Sequence, residues 1–526
     1  MTHWWQKGIV YQIYPRSFQD TNGDGIGDLP GILERIDYLH WLGIDAIWIS
    51  PMYPSPMADF GYDISDYTAV HPIFGTLDDM DALIAAAHQR NIKILLDFVP
   101  GHTSDQHPWF VESRASRSNP KADWYIWRDP ADGRPPNNWL SRFDGRSAWE
   151  WEERRGQYYL HSFLKEQPDL NWRNPEVREA MLNVMRFWLD RGLDGFRVDV
   201  VYRVMKDPEL RDNPPNPDWR PGMDPALRLI ETYNKNTPHS HQFNRWLRSV
   251  TDEYDGRVLI GEINVPLPAL VKHYGQGDEI HLPQNTNLNN TPWTAEAIRA
   301  LVEQYESLLP QGAWPNWVLG NHDQHRIASR VGPQQARVAM MLLLTLRGTP
   351  INYYGDELGM TDGRIPPQKI QDPWEIHSPG LGLGRDPERT PMQWDGRPNA
   401  GFCPPNVEPW LPVADNYGEI NVAEAAHRPD MMLNFTQHLI ALRRQSPALH
   451  SGSYQTLTAP PGLFAYRRQH NEEQRTIILN FTNSPQSCPL PDDVGETAVL
   501  LSTRPKNPAQ LINGTIHLQP NEGIIL

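Results

Sequence analysis

Three carboxylates and their neighbours carry the chemistry this chain could perform. Asp199 ends the segment GFRVD at 195–199, Glu262 lies in GEI at 261–263, and Asp323 lies in NHD at 321–323. With DFVPGH at 97–102, these are places where a short apolar run gives way to a loop. Cleaving a glycosidic bond takes two carboxyl groups, one to attack or stabilise the anomeric carbon and one to protonate the leaving oxygen. A third can hold sugar hydroxyls. Retention of configuration asks for a first pair about 5–5.5 Å apart, and adjacent strand ends, about 5 Å apart, can supply it. Arg197 precedes Asp199 by two residues, so both project to the same side of a strand. A cation there favours an ionised nucleophile. A carboxyl in a more apolar setting keeps its proton, and Glu262, preceded by Val258–Gly261, is expected to be that acid. One strand-end carboxylate alone more often caps a helix or pairs with arginine. Three in register with His102, His322 and Arg197 point to a shared pocket.

Eight apolar runs must position these groups: Ile9–Tyr14, Ala46–Ser50, Ile92–Val99, Gly195–Val200, Val258–Ile263, Glu279–Leu282, Trp317–Leu319 and Pro350–Tyr354. Helical patterns lie between several of them, at Ile32–Leu42, Met80–Gln89, Pro175–Arg191, Thr294–Leu309 and Gln334–Leu346. Apolar runs alternating with helices predict parallel strands buried on both faces. Eight such units predict a (β/α)8 TIM barrel, whose chemistry belongs at the C-terminal ends of the strands. The spacing breaks after the third run, where about 70 residues rich in Trp, Pro, Asn and Arg are too many for a structureless loop. A small domain inserted after strand 3, over 101–172, is expected. Residues 361–425, rich in Pro, Gly and Asp, read as a long loop on the pocket side. Short alternating runs at Leu463–Arg468, Thr476–Phe481, Thr497–Leu501 and Thr515–Leu518 predict a C-terminal antiparallel β-sandwich over 446–526. The barrel then comprises 1–100 and 173–445.

The 526 residues exceed what one core usually serves. A net charge of −16 disfavours nucleic acid and anionic membrane as partners. No run approaches the roughly 18 apolar residues of a membrane span. The first residues show no secretory leader, so a cytoplasmic protein, monomeric or homodimeric, is expected. Two cysteines, Cys403 and Cys488, exclude a disulfide framework. Twenty Trp and nineteen Tyr could stack on sugars or fill cores.

The segments YQIYPRSFQDTNGDGIGDL, FGYDISDY, DFVPGHTSDQH, QPDLNW, GFRVDV, GEI and GNHDQ resemble the α-amylase superfamily of glycoside hydrolases (glycoside hydrolase family 13) along essentially the whole chain. QPDLNW and GRDPERTPMQWD are similar to its oligo-1,6-glucosidase and α-glucosidase branch. The resemblance implies Asp199 as nucleophile, Glu262 as acid/base and Asp323 as transition-state stabiliser. It implies Asp59, Tyr62, His102, Phe163, Arg197, His322 and Arg389 around a terminal glucose, with Val200 resembling members that favour α-1,6 linkages. The stretch Asp20–Asp28 alternates oxygen-bearing side chains with glycines, as a hard cation requires. It has no EF-hand glutamate, and a plain Asx-rich turn is the competing reading. The resemblance implies a structural Ca2+ on Asp20, Asn22, Asp24, Asp28 and the Ile26 carbonyl; Mg2+ is the other candidate. No organic cofactor is expected.

Several positions depart from the family pattern. Gly101 stands where asparagine is usual, and Asn264 where an aromatic is common. Gln284, Asn285, Thr286, Asn287, Asn289 and Asn290 replace an apolar run, His325 replaces proline, and Tyr202 also differs. The leading expectation is a retaining, exo-acting α-glucosidase for α-1,6 and α-1,4 bonds in short oligosaccharides. The alternatives are a glucosyltransferase or a sucrose- or trehalose-type isomerising enzyme, a pocket remodelled for another substrate, and a non-catalytic carbohydrate-binding protein.

Overall fold

Two-residue periodicity along the apolar runs decides which side chains fill the barrel and which meet the helices. In the computed structural model, which describes residues 3–491, 498–506 and 508–526, the strands are β1 (Val10–Ile13), β2 (Ala46–Ile49), β3 (Lys93–Phe98), β4 (Gly195–Val198), β5 (Val258–Glu262), β6 (Leu282–Gln284), β7 (Asn316–Val318) and β8 (Thr349–Tyr353). They form one parallel sheet in the order β7-β8-β1-β2-β3-β4-β5-β6. Val10, Ala46, Trp48, Leu95, Val258, Ile260, Leu282, Val318 and Ile351 pack together as one buried cluster. Their neighbours along the strands, such as Tyr11, Ile47, Leu96, Phe196 and Leu259, belong to the larger core that includes the helices. Two residues further along the inward rows the chemistry changes: Val10 is followed by Gln12, Leu95 by Asp97, and Ile260 by Glu262. Arg197 pairs in register with Asp97 on one side and Ile260 on the other. Gly195, in the row beneath Arg197, has φ +151°, and a Cβ there would sit 2.2 Å from the Val258 carbonyl oxygen. Only glycine lets β4 approach β5 so closely.

No backbone ladder joins β6 to β7 among the described residues. The Asn316 side chain bridges the gap, accepting from the Asn285 N–H at 2.9 Å and donating to the Pro283 carbonyl at 2.6 Å. Pro283 has no N–H to offer on the side where its carbonyl points, which suits a strand at a sheet edge. The sixth strand is Leu282–Gln284 rather than Glu279–Leu282. Glu279 is instead held by Asn244 (2.8 Å), His241 (2.9 Å) and Arg245 (2.9 Å), which fixes it ahead of the strand. The helix expected over Ile32–Leu42 is two, Leu29–Glu34 and Ile36–Leu42. They part at Arg35, whose guanidinium reaches back to Gln19 and lies over the Trp394 ring.

Between β3 and β4, strands Trp127–Arg128, Trp149–Glu152 and Gln157–Leu160 make a small antiparallel sheet. Beyond the barrel, a five-stranded and a three-stranded antiparallel sheet share a core in which Ala465 and Ile478 meet Cys488, Ile516 and Leu518. The other face of the five-stranded sheet carries Phe464, Tyr466, Ile477 and Leu479, which join the core of the barrel. There the Tyr466 hydroxyl lies 2.5 Å from Thr345 Oγ1, at the end of the helix Pro333–Thr345. The run expected at Thr497–Leu501 is seen as Leu501–Ser502; Thr497 lies outside the described residues. Among the described residues no helix is long and apolar enough to cross a membrane.

Candidate active site

A cavity of about 360 Å3 opens at the C-terminal ends of the strands, within the range of small-molecule sites. Asp199, Glu262 and Asp323 all line it, with Asp59, Tyr62, His102, Phe163, Val200, Asn264 and His322. Arg197 lies beneath, fully buried. Its Nη1 donates to Asp97 at 2.7 Å and to Asp199 at 2.9 Å, and its Nη2 donates to Glu262 at 2.5 Å. One guanidinium therefore ties the ends of β3, β4 and β5 together and holds the two carboxyls of the expected pair side by side.

The apolar setting foreseen for Glu262 is not what surrounds its carboxyl. Val258–Gly261 are apolar because they form the barrel wall, whereas the Glu262 side chain emerges above them among donors. It accepts from Arg197, from the Val200 N–H at 3.3 Å and from Asn264 Nδ2 at 2.8 Å. Val200 adopts φ +35° and ψ +46°, a left-handed conformation that a β-branched residue rarely takes. Such strain persists where the surroundings enforce it, often at functional sites; here it turns the amide directly after Asp199 toward Glu262. Asn264 in turn accepts from the Thr286 hydroxyl at 2.5 Å. Two departures from the family pattern thus form a chain of hydrogen bonds ending on Glu262.

Burial pushes the Asp199 carboxyl well above the usual carboxylate range; Arg197 pulls it down, while Glu262 and Asp97 push it up. Burial likewise raises Asp97 to about 6 against the pull of Arg197. Burial works against the charge on Asp323 too, yet that carboxyl is held below its usual range. Arg389 at 2.8 Å and Arg385 at 3.2 Å supply the attraction, because burial itself keeps His322 neutral. His322 sits in a directed chain. Gln12 Nε2 donates to its Nδ1 at 2.7 Å, which leaves the ring proton on Nε2 for the Tyr62 oxygen at 2.7 Å. The Tyr62 hydroxyl donates to Asp97 at 3.0 Å. The Tyr62 and His322 rings are stacked, 5.4 Å apart and 2° from parallel. His102, lowered by burial to about 4, contacts the Tyr62 carbonyl at 3.0 Å and stays neutral.

Arg389 does not line the cavity. It lies behind Asp323, bonded to that carboxylate and to the His322 carbonyl at 2.7 Å. Arg385, four residues earlier, lines the cavity instead, pairing with Asp59 at 2.8 Å, Asp372 at 2.6 Å and Asp323. The sequence reading also passed over Asp97, Arg142, Phe143, Arg203, Glu231, Lys235 and Trp374. Only Asp97, at the head of a segment already singled out, carried a local signal. Phe143 of the 101–172 segment meets Trp374 of the long loop with ring centres 5.5 Å apart, and meets Phe163 at 5.8 Å. Ser378 donates to the Phe143 carbonyl. Also lining the cavity, Arg203 and Glu231 form a bidentate pair at 2.7 and 2.6 Å beside Lys235, which burial and Arg203 lower to about 8.

The departures divide. Asn264, Thr286, Asn289, Asn290 and Tyr202 line the cavity, whereas Gln284, Asn285, Asn287, Gly101 and His325 do not. Asn285 serves the barrel seam, and an added Cβ at Gly101 would meet nothing nearer than Val204 at 4.0 Å. In the loop at 20–28, Asp20 accepts from the Gly23 and Gly25 amides (2.7 and 2.9 Å), Asn22 from Asp24 (2.9 Å) and Asp24 from Ile26 (2.8 Å). Asp28 caps the helix at Leu29 through the Gly31 N–H at 2.7 Å and accepts from Thr21. Both Asp28 oxygens are engaged by Thr21 and Gly31, whereas the oxygens of Asp20, Asn22 and Asp24 keep a lone pair each; all are hard oxygen donors of the type Ca2+ and Mg2+ take.

Comparison with known proteins agrees with this geometry. Residues 12–452 match the family described as alpha amylase, catalytic domain, and residues 463–525 match the alpha-amylase SusG C-terminal domain. A probable alpha-glucosidase of Rhizobium meliloti (strain 1021) is 42% identical over 93% of this chain and 91% of its own length. An oligo-1,6-glucosidase of Parageobacillus thermoglucosidasius is 39% identical over 93% and 92%. Among solved structures, the alpha-glucosyl transfer enzyme XgtA superposes with a TM-score of 0.94 at 42% identity, covering 100% of this chain and 99% of that one. The trehalulose synthase MutB from Pseudomonas mesoacidophila MX-45 gives 0.91 at 36% identity, over 100% and 99%. A barrel with its carboxylates at the strand ends, matched over most of its length by these relatives, places the chain in the α-amylase family.

Proposed function

We propose that this chain is a retaining, exo-acting α-glucosidase that cleaves terminal α-1,6 and α-1,4 bonds of short oligosaccharides. The observation that carries the reading is the single Arg197 guanidinium shared by Asp199 and Glu262 at the floor of a cavity narrowed by Phe143 and Trp374. That arrangement suits the roughly 5–5.5 Å carboxyl spacing of retention. An Asp199 oxygen attacks the anomeric carbon as the glycosidic C–O bond breaks, and the leaving oxygen takes the proton of Glu262. Water then attacks the same carbon, returns a proton to Glu262 and displaces Asp199. Asp323, kept ionised by its two arginines, binds sugar hydroxyls more tightly as the ring distorts toward the transition state. Replacing Asp199 with alanine should abolish hydrolysis of an aryl α-glucoside with the circular dichroism unchanged. Near-normal turnover by that variant would sink the assignment.

A second reading keeps the covalent intermediate and passes the glucosyl group to a sugar hydroxyl instead of water. It is favoured by the hydrogen-bonding groups that line the cavity, Asn264, Thr286, Asn289, Asn290, Glu231 and Lys235, which could hold an acceptor sugar. Resolving the products from concentrated maltose and sucrose separates the two: free glucose supports hydrolysis, and new oligosaccharides or sucrose isomers support transfer. We further propose that Asp20, Asn22, Asp24, Asp28 and the Ile26 carbonyl hold a Ca2+ or Mg2+ ion that stiffens the turn into the first helix. Chelation with EDTA should then lower the thermal midpoint of the wild type and leave that of Asp24→Ala unmoved.

A further inference from the structure

His325 neither lines the cavity nor makes an ordinary surface pair. Its Nδ1 lies 2.9 Å from Asp362 Oδ2 and 3.5 Å from Glu388 Oε2, and one ligand-type atom from each of the three residues falls within 4.8 Å of the others. Glu388 is 2% exposed, and its Oε2 has no hydrogen-bond partner. A buried carboxyl oxygen that meets only His325 at 3.5 Å and makes no hydrogen bond is costly unless something satisfies it, and burial pushes this acid up to about 8. Zinc binds imidazole nitrogen and carboxylate oxygen at about 2.0–2.2 Å, which puts tetrahedral ligand atoms about 3.4 Å apart. The two His325 distances, 2.9 and 3.5 Å, lie near that spacing, and the Asp362 and Glu388 oxygens lie within 4.8 Å of each other. The His325 side chain is 48% exposed, which leaves an entry path and a fourth position for water. Asp362 is already oriented from behind, its Oδ1 accepting the Arg326 N–H at 2.8 Å, the kind of support that fixes metal ligands.

We propose that His325 Nδ1, Asp362 Oδ2 and Glu388 Oε2 form a site for a first-row divalent cation, separate from the loop at 20–28. One imidazole with two carboxylates selects Zn2+, Co2+ or Mn2+ over Ca2+, whose sites are built from oxygen alone. The other cluster with three such atoms, His241, His273 and Glu279, is a poorer candidate. Both nitrogens of His273 are engaged by asparagines, and Glu279 is paired with Arg245. The proposed ion would tie the segment after Asp323 to the turn holding Arg389, the residue that orients Asp323. It would brace the site without touching substrate.

The test is a calorimetric titration of the full chain, freed of metal by dialysis, with ZnCl2, and an absorption titration with CoCl2. One equivalent should bind, and the Co2+ complex should show d–d bands of a low-coordinate site. His325→Ala and Glu388→Gln should each weaken binding at least about tenfold and remove the bands, whereas Asp24→Ala should change neither. Asp362→Asn is the substitute should Glu388→Gln fail to fold. Binding of equal strength in the His325 and Glu388 variants, or none in the wild type at millimolar metal, overturns the proposal.

Discussion

Burial works against the ionised form in which Asp199 attacks, and Arg197 works for it. The Asp199 carboxyl is pushed above the usual range by burial, with Glu262 and Asp97 adding to the effect. The folded chain therefore holds this proton more tightly than the unfolded chain, and the wild type loses stability as pH rises above the unfolded value near 4. Asp199→Asn should remove that penalty, raising the thermal midpoint at pH 7 by roughly 1–3 °C while abolishing hydrolysis. The gain should shrink toward pH 4; equal gains at pH 4 and 7 would contradict the argument. Asn264 offers a second prediction at this scale. An amide can donate to the Glu262 carboxylate and, turned over, accept from the carboxylic acid, which a hydrocarbon ring such as that of phenylalanine cannot do. Asn264→Leu should lower kcat by about ten- to a hundredfold with a smaller change in KM, and Thr286→Val, which frees the amide, should lower it less. That Asp199, Glu262 and Asp323 line one cavity was legible because the first two end apolar runs and the third closely follows one. Arg385 was not, because it comes from a turn-rich stretch with no periodicity, and nothing local says which arginine of GRDPER turns inward. The 3-10 turn Asp386–Arg389 settles it, sending Arg389 behind Asp323 and leaving Arg385 in the cavity.

At the scale of elements, the strand ends hold the carboxylates rigidly, while two loops from distant parts of the chain close over them. Phe143 and Trp374 meet across that closure, and Arg142 and Arg385 lie over the Trp374 ring at 4.9 and 6.0 Å. Trp374→Ala should raise KM several-fold and leave kcat within about threefold, read by steady-state kinetics on maltose and isomaltose, since Trp374 shapes the opening and bonds none of the three carboxylates. Gly101→Asn should fold as the wild type does, because the space above it is open; a loss of folding on thermal unfolding would contradict this. The barrel strands could be read from apolar runs. The sixth escaped by three residues because Glu279, Ile280 and Leu282 look like a strand in composition, whereas a polar cluster around Glu279 fixes that stretch in another conformation.

At the scale of the whole molecule, the C-terminal sandwich acts as a cover for the barrel. The face bearing Tyr466 and Phe464 shares a core with the helix Pro333–Thr345, and that helix is buried along most of its length. Tyr466→Ala should cost about 3–5 kcal/mol, and a chain ending before 446 should aggregate; both are checked by denaturant unfolding and by size-exclusion chromatography. The alternating runs that announced this region were readable, but their docking face was not, since Leu463–Arg468 and Thr476–Phe481 carry apolar residues on both faces. The last rung of the barrel depends on one side chain. An asparagine amide is chemically a peptide group carried on a stem, and Asn316 uses it to do between β6 and β7 what main chain does at the seven other junctions. The ring behaves as a clasped bracelet: its strength all the way round is set by the clasp. Hydrogen exchange should find its first opening at Asn285 and the residues flanking Pro283, and Asn316→Leu should loosen the ring there before any substrate group has moved.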